Sequence, residues 1–362
     1  MPDRTPVERI TNIDAYRTIA ILLVICLHTN FIGKLHELGH GRFLIDVTLY
    51  QIWWISVPYF FLAAGYFFGK QAQSGQAPLA LLSTYSLPLL RIFAISLFLY
   101  CIIPRDWIRL FARHGVTETV STQVMASLSR LANEHIELLL VPQPPVFHLW
   151  FLPALVIGLA AVAAVLVLRW EKWVAAIILG LYGLSVLEEV AALHLYPLYD
   201  FRLWLMPALF ALLGWRISIG GPFGSIRPLG LIAGGYVLAV IEGVVIAKGF
   251  HGTAVAVRDH SYAGGILMVA GLFLLTLTRP AVGRGMAFSF LAKWVLGIYV
   301  FHMLVLDAFE PFLIETARTS ALWDLIFVIA VYAMSLGLTL VLAHTPVLRY
   351  AVMRQGRNRA VS

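Results

Sequence analysis

About ten stretches of roughly twenty apolar residues follow one another along this chain, at 13–31, 46–68, 80–103, 147–168, 173–191, 201–219, 228–247, 262–278, 289–309 and 323–344. A helix rises about 1.5 Å per residue, so about twenty such residues cross the roughly 30 Å hydrocarbon layer of a bilayer. In that layer every backbone N–H and C=O must be satisfied within the protein. The expected fold class is therefore all-α, a polytopic integral membrane bundle of about ten transmembrane helices. Charge content agrees. Only 12% of the 362 residues are charged, against about 25% in soluble domains, because lipid does not solvate charge.

Most connections are short, and the exception is 104–146. It carries Arg105, Asp106, Arg109, Arg113, Glu118, Arg130, Glu134 and Glu137 and is closed by Pro142, Pro144 and Pro145. It is long enough for one or two amphipathic helices outside the hydrocarbon. No fixed-period repeat and no fused soluble domain is read, so residues 1–362 form one expected transmembrane domain. The Lys/Arg asymmetry of short loops places the N-terminus in the cytoplasm. Arg4, Arg9, Lys70, Arg169, Lys172, Arg216, Arg227, Arg279 and Arg284 then lie inside, and an even number of spans brings the basic C-terminal tail inside too. The net charge of +7 thus reads as topology and headgroup contact with the bilayer, not nucleic-acid binding. Cys26 and Cys101 lie in apolar runs without metal-ligand spacing. No cleavable signal peptide is read, since the first apolar run contains Asp14 and Arg17 and no small-residue cleavage site follows.

The first span, N-I-D-A-Y-R-T-I-A-I-L-L-V-I-C-L-H, holds an acid, a base and an imidazole. Arg17 and His28 are eleven residues apart. On a helix that returns to within about 20° of one face, with about 16 Å of axial separation. Asp14 precedes Arg17 by three residues, so the two can pair. In lipid each group costs several kcal/mol unless it faces protein or water. The stripe also fits a plainer reading, an ion pair snorkelling at the cytoplasmic interface and a histidine at headgroup level.

The stretch D-x-x-R-x(10)-H resembles the first-helix signature of the membrane acyltransferase-3 family, the bacterial polytopic O-acyltransferases. The resemblance continues in order along the chain. It includes V-P-Y-F-F-L-A-A-G-Y at 57–66, F-H-L-W-F-L-P-A-L at 147–155, L-W-L-M-P-A-L-F-A-L-L-G at 203–214, L-A-K-W-V-L-G-I-Y-V-F-H at 291–302 and T-P-V-L-R-Y at 345–350. Ala64 stands where the family's second-helix motif has serine, so a serine acyl intermediate is not assumed. Lys293-Trp294 stands where the late motif has Ser-Tyr.

The resemblance implies an O-acetyltransferase, a multi-pass protein of the bacterial inner membrane. It would move an acyl group, commonly acetyl from acetyl-CoA, to a hydroxyl of a cell-envelope or exported polysaccharide or its lipid-linked precursor. Acetyl-CoA is then a donor substrate, with no bound cofactor and no metal expected, and glycan-synthesis machinery is a possible partner. The residue types suit that chemistry. A sugar hydroxyl needs a base, and imidazole titrates near neutrality. Phosphates of a coenzyme suit arginine. His28 is accordingly expected as the base or transient acyl acceptor, with Arg17 binding the donor from the cytoplasmic side and Asp14 orienting it. Arg91, in the third span, is a second candidate for a coenzyme phosphate. His148 and Trp150, opening the fourth span, are candidate acceptor contacts, or else an interfacial anchor.

His302 is a further candidate acceptor contact. With Asp307 it sits in the ninth span as acceptor contacts or as a buried pair with another helix, and Glu242 and Glu188-Glu189 are expensive in lipid without an evident partner. His36-Glu37-Leu38-Gly39-His40 matches the zinc motif H-E-x-x-H. However, it lies in a connection where Gly33, Gly39 and Gly41 oppose a helix, and no third ligand stands out. No phosphate loop, nucleophile elbow or dinucleotide fingerprint is found. The rival class is a secondary transporter of a sugar or anion using the same intramembrane charges, against which stand the lack of an inverted repeat and of paired interrupted helices.

Overall fold

A computed structural model of the chain describes residues 10–29, 48–133, 147–170, parts of 172–183, then 196–220, 227–246, 263–282, 284–313, 321–345 and 349. Among them there is no β-strand. The helices are α1 (Thr11–Thr29), α2 (Ser56–Gln73), α3 (Pro78–Ile102), α4 (Trp107–His114), α5 (Val116–Asn133), α6 (Phe151–Leu168), α7 (Tyr196–Ser218), α8 (Pro228–Ile246), α9 (Ala263–Thr278), α10 (Ala287–Leu291), α11 (Val295–Leu313) and α12 (Ala321–His344). Among the described residues, seven helical segments are long and apolar enough to cross a membrane. They are Thr11–Thr29, Thr48–Gln73, Pro78–His114, His148–Leu168, Pro228–Val245, Ser289–Phe309 and Leu322–His344. Two shorter apolar helices, Leu205–Ser218 and Ala263–Thr278, coincide with the spans expected at 201–219 and 262–278. Most of the span expected at 173–191, the His36–His40 motif, Glu188-Glu189 and most of the 345–350 motif lie outside the described residues.

Local chemistry sets the helix ends. Pro78 and Pro228 occupy first helical positions, where the missing N–H has no intrahelical partner to lose. Between α2 and α3, Gly75 adopts φ +85°, and the N–H groups of Ser74 and Gly75 donate back to Lys70 O and Ala72 O. That left-handed residue is what lets the chain reverse within a few residues. In the expected amphipathic segment, α4 buries none of its residues, and α5 continues the chain to Asn133.

The chain divides into two compact units. The first comprises residues 1–27, 36–85 and 154–292. Its core gathers Phe68, Leu81, Tyr85, Leu159, Val162, Leu212 and Trp215. The packing of α2 on α7 runs through two glycines. A methyl group at Gly65 would strike the Ala211 carbonyl, and one at Gly214 would strike the Leu62 carbonyl. Between apolar helices in lipid there is little hydrophobic drive, so close backbone approach through small residues supplies the attraction. The start of α1 is tied to the end of α9, where Asn12 Nδ2 donates to Thr276 O (3.3 Å) and Arg279 O (2.9 Å), and the Thr11 hydroxyl donates to Pro280 O (3.0 Å). These donors satisfy carbonyls that a helix C-terminus leaves open. Glu242 also finds its partner here. The Gly264 N–H, in the first turn of α9, donates to its Oε2 at 3.0 Å, the usual use of an acid at a helix start.

The second unit comprises residues 28–35, 86–153 and 293–362. Its organising element is α11. One face of that helix receives three polar contacts at helical spacing. The Tyr100 hydroxyl donates to Val300 O (2.9 Å), Trp107 Nε1–H donates to Leu304 O (3.3 Å), and Arg105 Nε lies 3.4 Å from Asp307 Oδ1. Asp307 is 4% exposed and Arg105 59% exposed along their side chains. The buried acid of the ninth span is therefore paired with a cation from the turn that follows α3.

Candidate functional site

His28, the penultimate residue of α1, belongs to the second unit. Its ring centroid lies 5.1 Å from that of His302 on α11. His302 in turn lies 5.4 Å from His148, which the 3₁₀ turn Phe147–Trp150 presents just ahead of α6. Tyr299 stands 5.7 Å from His302 and 6.0 Å from His148, and Tyr100 stands 5.2 Å from His148. The result is a cluster of three imidazoles and two phenols. His302 is 0% exposed and His148 1%, while His28 is only partly buried. His28 is thus the least buried of the three imidazoles.

Hydrogen bonds fix the protons of the inner rings. His302 Nδ1–H donates to Tyr299 O at 2.6 Å. A carbonyl only accepts, so Nδ1 carries the proton and Nε2 keeps a lone pair. His148 Nε2–H donates to Val300 O at 3.2 Å, which makes its Nδ1 the lone-pair nitrogen. The Tyr299 hydroxyl donates to His148 O, and the Tyr100 hydroxyl shares the Val300 carbonyl. Two buried histidines are therefore held in defined tautomers by backbone acceptors. Among the described residues no group of three or more His, Cys, Asp or Glu is arranged to hold a metal.

The other expected site residues fall elsewhere. Asp14 and Arg17 lie in the first unit and pair there, Arg17 Nη1 to Asp14 Oδ1 at 3.7 Å, with the arginine side chain 38% exposed and the acid 16%. The next ring along, Tyr16, stacks on Tyr59 at 5.9 Å. Along α1 the helix rise sets Arg17 about 16 Å from His28, so the pair is not part of the histidine cluster. Arg91 is on α3, in the second unit, partly buried. Trp150, partly exposed, ends the turn that carries His148. His148 and His302, expected as acceptor contacts, are buried rings whose protons go to the backbone.

Two contributors, Tyr299 and Tyr100, escaped the sequence reading. Tyr299 was legible in principle, because a tyrosine three residues before a histidine shares its helix face. Tyr100 had no local signal, since its partner Val300 is two hundred positions away; Asp307, read as a possible buried pair with another helix, finds its partner in Arg105.

A family model described as an acyltransferase domain matches residues 10–344. None of the curated proteins and none of the solved structures matches the chain.

Proposed function

The chain belongs to the acyltransferase-3 family and is a membrane acyltransferase; from that premise we propose that it transfers acetyl from acetyl-CoA to a hydroxyl of a cell-envelope or exported polysaccharide, or of its lipid-linked precursor. The observation that carries this reading is His28. It is a partly accessible imidazole backed by a buried histidine of fixed tautomer, which is the arrangement a general base needs.

In the proposed reaction the acceptor hydroxyl gives its proton to His28 as its oxygen attacks the thioester carbonyl. A C–O bond forms, the C–S bond breaks, and the departing sulfur takes the proton back, leaving the O-acyl product and free thiol. Arg17 and Arg91 suit the phosphates of the donor, since guanidinium binds phosphate in bidentate fashion. Asp14 holds the Arg17 guanidinium in orientation. Trp150, partly exposed beside the cluster, suits the apolar face of a sugar ring. His148 and His302 support His28 in this scheme.

The test is acyl transfer in proteoliposomes with labelled acetyl-CoA and a glycan acceptor. Labelled glycan is the expected product. Movement of a sugar or anion across the bilayer without labelled product would replace this reading with a transporter.

A further inference from the structure

The lone pair on His302 Nε2 is buried, and among the described residues it receives no hydrogen bond. Leaving such an acceptor unpaired is costly, so a donor belongs beside it. Three rings surround His302: His148, Tyr299 and His28. The His148 Nε2–H and the Tyr299 hydroxyl donate to the carbonyls of Val300 and His148. The third ring is His28, whose centroid is 5.1 Å away at an interplanar angle of 42°. At that separation one nitrogen of each ring can meet edge to edge.

We propose that His302 is the positioning residue of the base: its Nε2 accepts an N–H from His28 during the reaction. The chain of donors then runs in one direction. Tyr299 O accepts from His302 Nδ1–H, His302 Nε2 accepts from one nitrogen of His28, and the other nitrogen of His28 keeps the lone pair that takes the acceptor's proton. Because the Tyr299 carbonyl can only accept, it dictates the tautomer of both imidazoles. When His28 takes the proton, its positive charge is shared with a neutral acceptor. The carbonyl and His302 thus do for His28 what a carboxylate does for the histidine of a catalytic triad.

This inference rests on the reading of His28 as base, and two variants separate it from simple packing. His302→Asn keeps an amide near the Tyr299 carbonyl but has no acceptor at the Nε2 position. His302→Gln carries a side-chain carbonyl out to about that position. Per folded protein, His302→Asn is expected to lower kcat about a hundredfold while the KM for acetyl-CoA stays within about twofold, and His302→Gln to recover to within about tenfold of wild type. A second readout needs no turnover. Carbethoxylation of His28 by diethylpyrocarbonate, followed by mass spectrometry, is expected to slow several-fold in His302→Asn and to recover in His302→Gln. Equal kcat losses in the two variants, or a His28 labelling rate indifferent to both, would overturn the proposal. Should wild-type protein transfer no acyl group, the functional reading falls, and the labelling rates still decide the role of His302.

Discussion

His28 and His302 come from opposite ends of the sequence and stand with ring centroids 5.1 Å apart. One is partly exposed and the other has no exposed surface. An imidazole that must exchange protons needs access, and the group that orients it needs protection from competing water. The pair divides those two requirements between two residues.

Replacing His28 by alanine removes the proposed base and its ring contact with His302, while the backbone hydrogen bonds of His302 and His148 stay in place. Acyl transfer is expected to fall by about 10²–10⁴-fold per folded, membrane-inserted protein. Unimpaired transfer by this variant would reject the assignment.

The arginines are expected to act on donor affinity. Arg17→Ala, and separately Arg91→Ala, should raise the KM for acetyl-CoA about tenfold or more and leave kcat within a few-fold, the pattern of an interaction made equally in ground and transition states. Arg17→Lys should recover only part of the loss, because an ammonium lacks the bidentate fork. Steady-state kinetics over a donor concentration series gives both constants, and a fall in kcat at constant KM would contradict this role.

Arg105 covers a carboxylate that is 4% exposed. Arg105→Ala withdraws a largely exposed cation from a buried acid and should destabilise the second unit by about 1 kcal/mol. Adding Asp307→Asn to that variant removes the buried charge as well and should restore most of the loss. Thermal or denaturant unfolding of the single and double variants measures the coupling, and additive losses would show the two residues to be independent.

The glycine contacts give a purely steric prediction. Gly65→Ala and Gly214→Ala push a methyl into the carbonyls of Ala211 and Leu62 and should each cost at least 1–3 kcal/mol, as overpacking does. Gly337→Ala, in α12, meets nothing within 4 Å and should be neutral or stabilising by up to about 1 kcal/mol. Melting temperatures of the three purified variants make the comparison.

Much of the helical layout was written locally. Length and apolarity mark a spanning segment without reference to any neighbour, so the helices at 11–29, 78–102, 228–246 and 321–344 could be read directly. The same locality revealed Asp14 with Arg17, because three residues on a helix place them together whatever the tertiary fold. The motif glycines at 65 and 214 were visible as residues, but not as the points where α2 and α7 meet. Each meets a partner about 150 positions away, Gly65 with Ala211 and Gly214 with Leu62, a packing event that no periodicity encodes.

The sequence by itself determined that this chain is a helical membrane protein of the acyltransferase kind, and which histidine of α1 sits at the head of its polar stripe. Hydrophobic length, charge exclusion and short-range helical spacing are properties of contiguous residues. Only the tertiary structure decided that His28 has His302 for a neighbour, that His302 and His148 hold defined tautomers, that Asp307 answers Arg105 and that Glu242 answers the start of α9. Each of those relations depends on which face of one helix packs on another, and that choice is made by side-chain fit across the bundle.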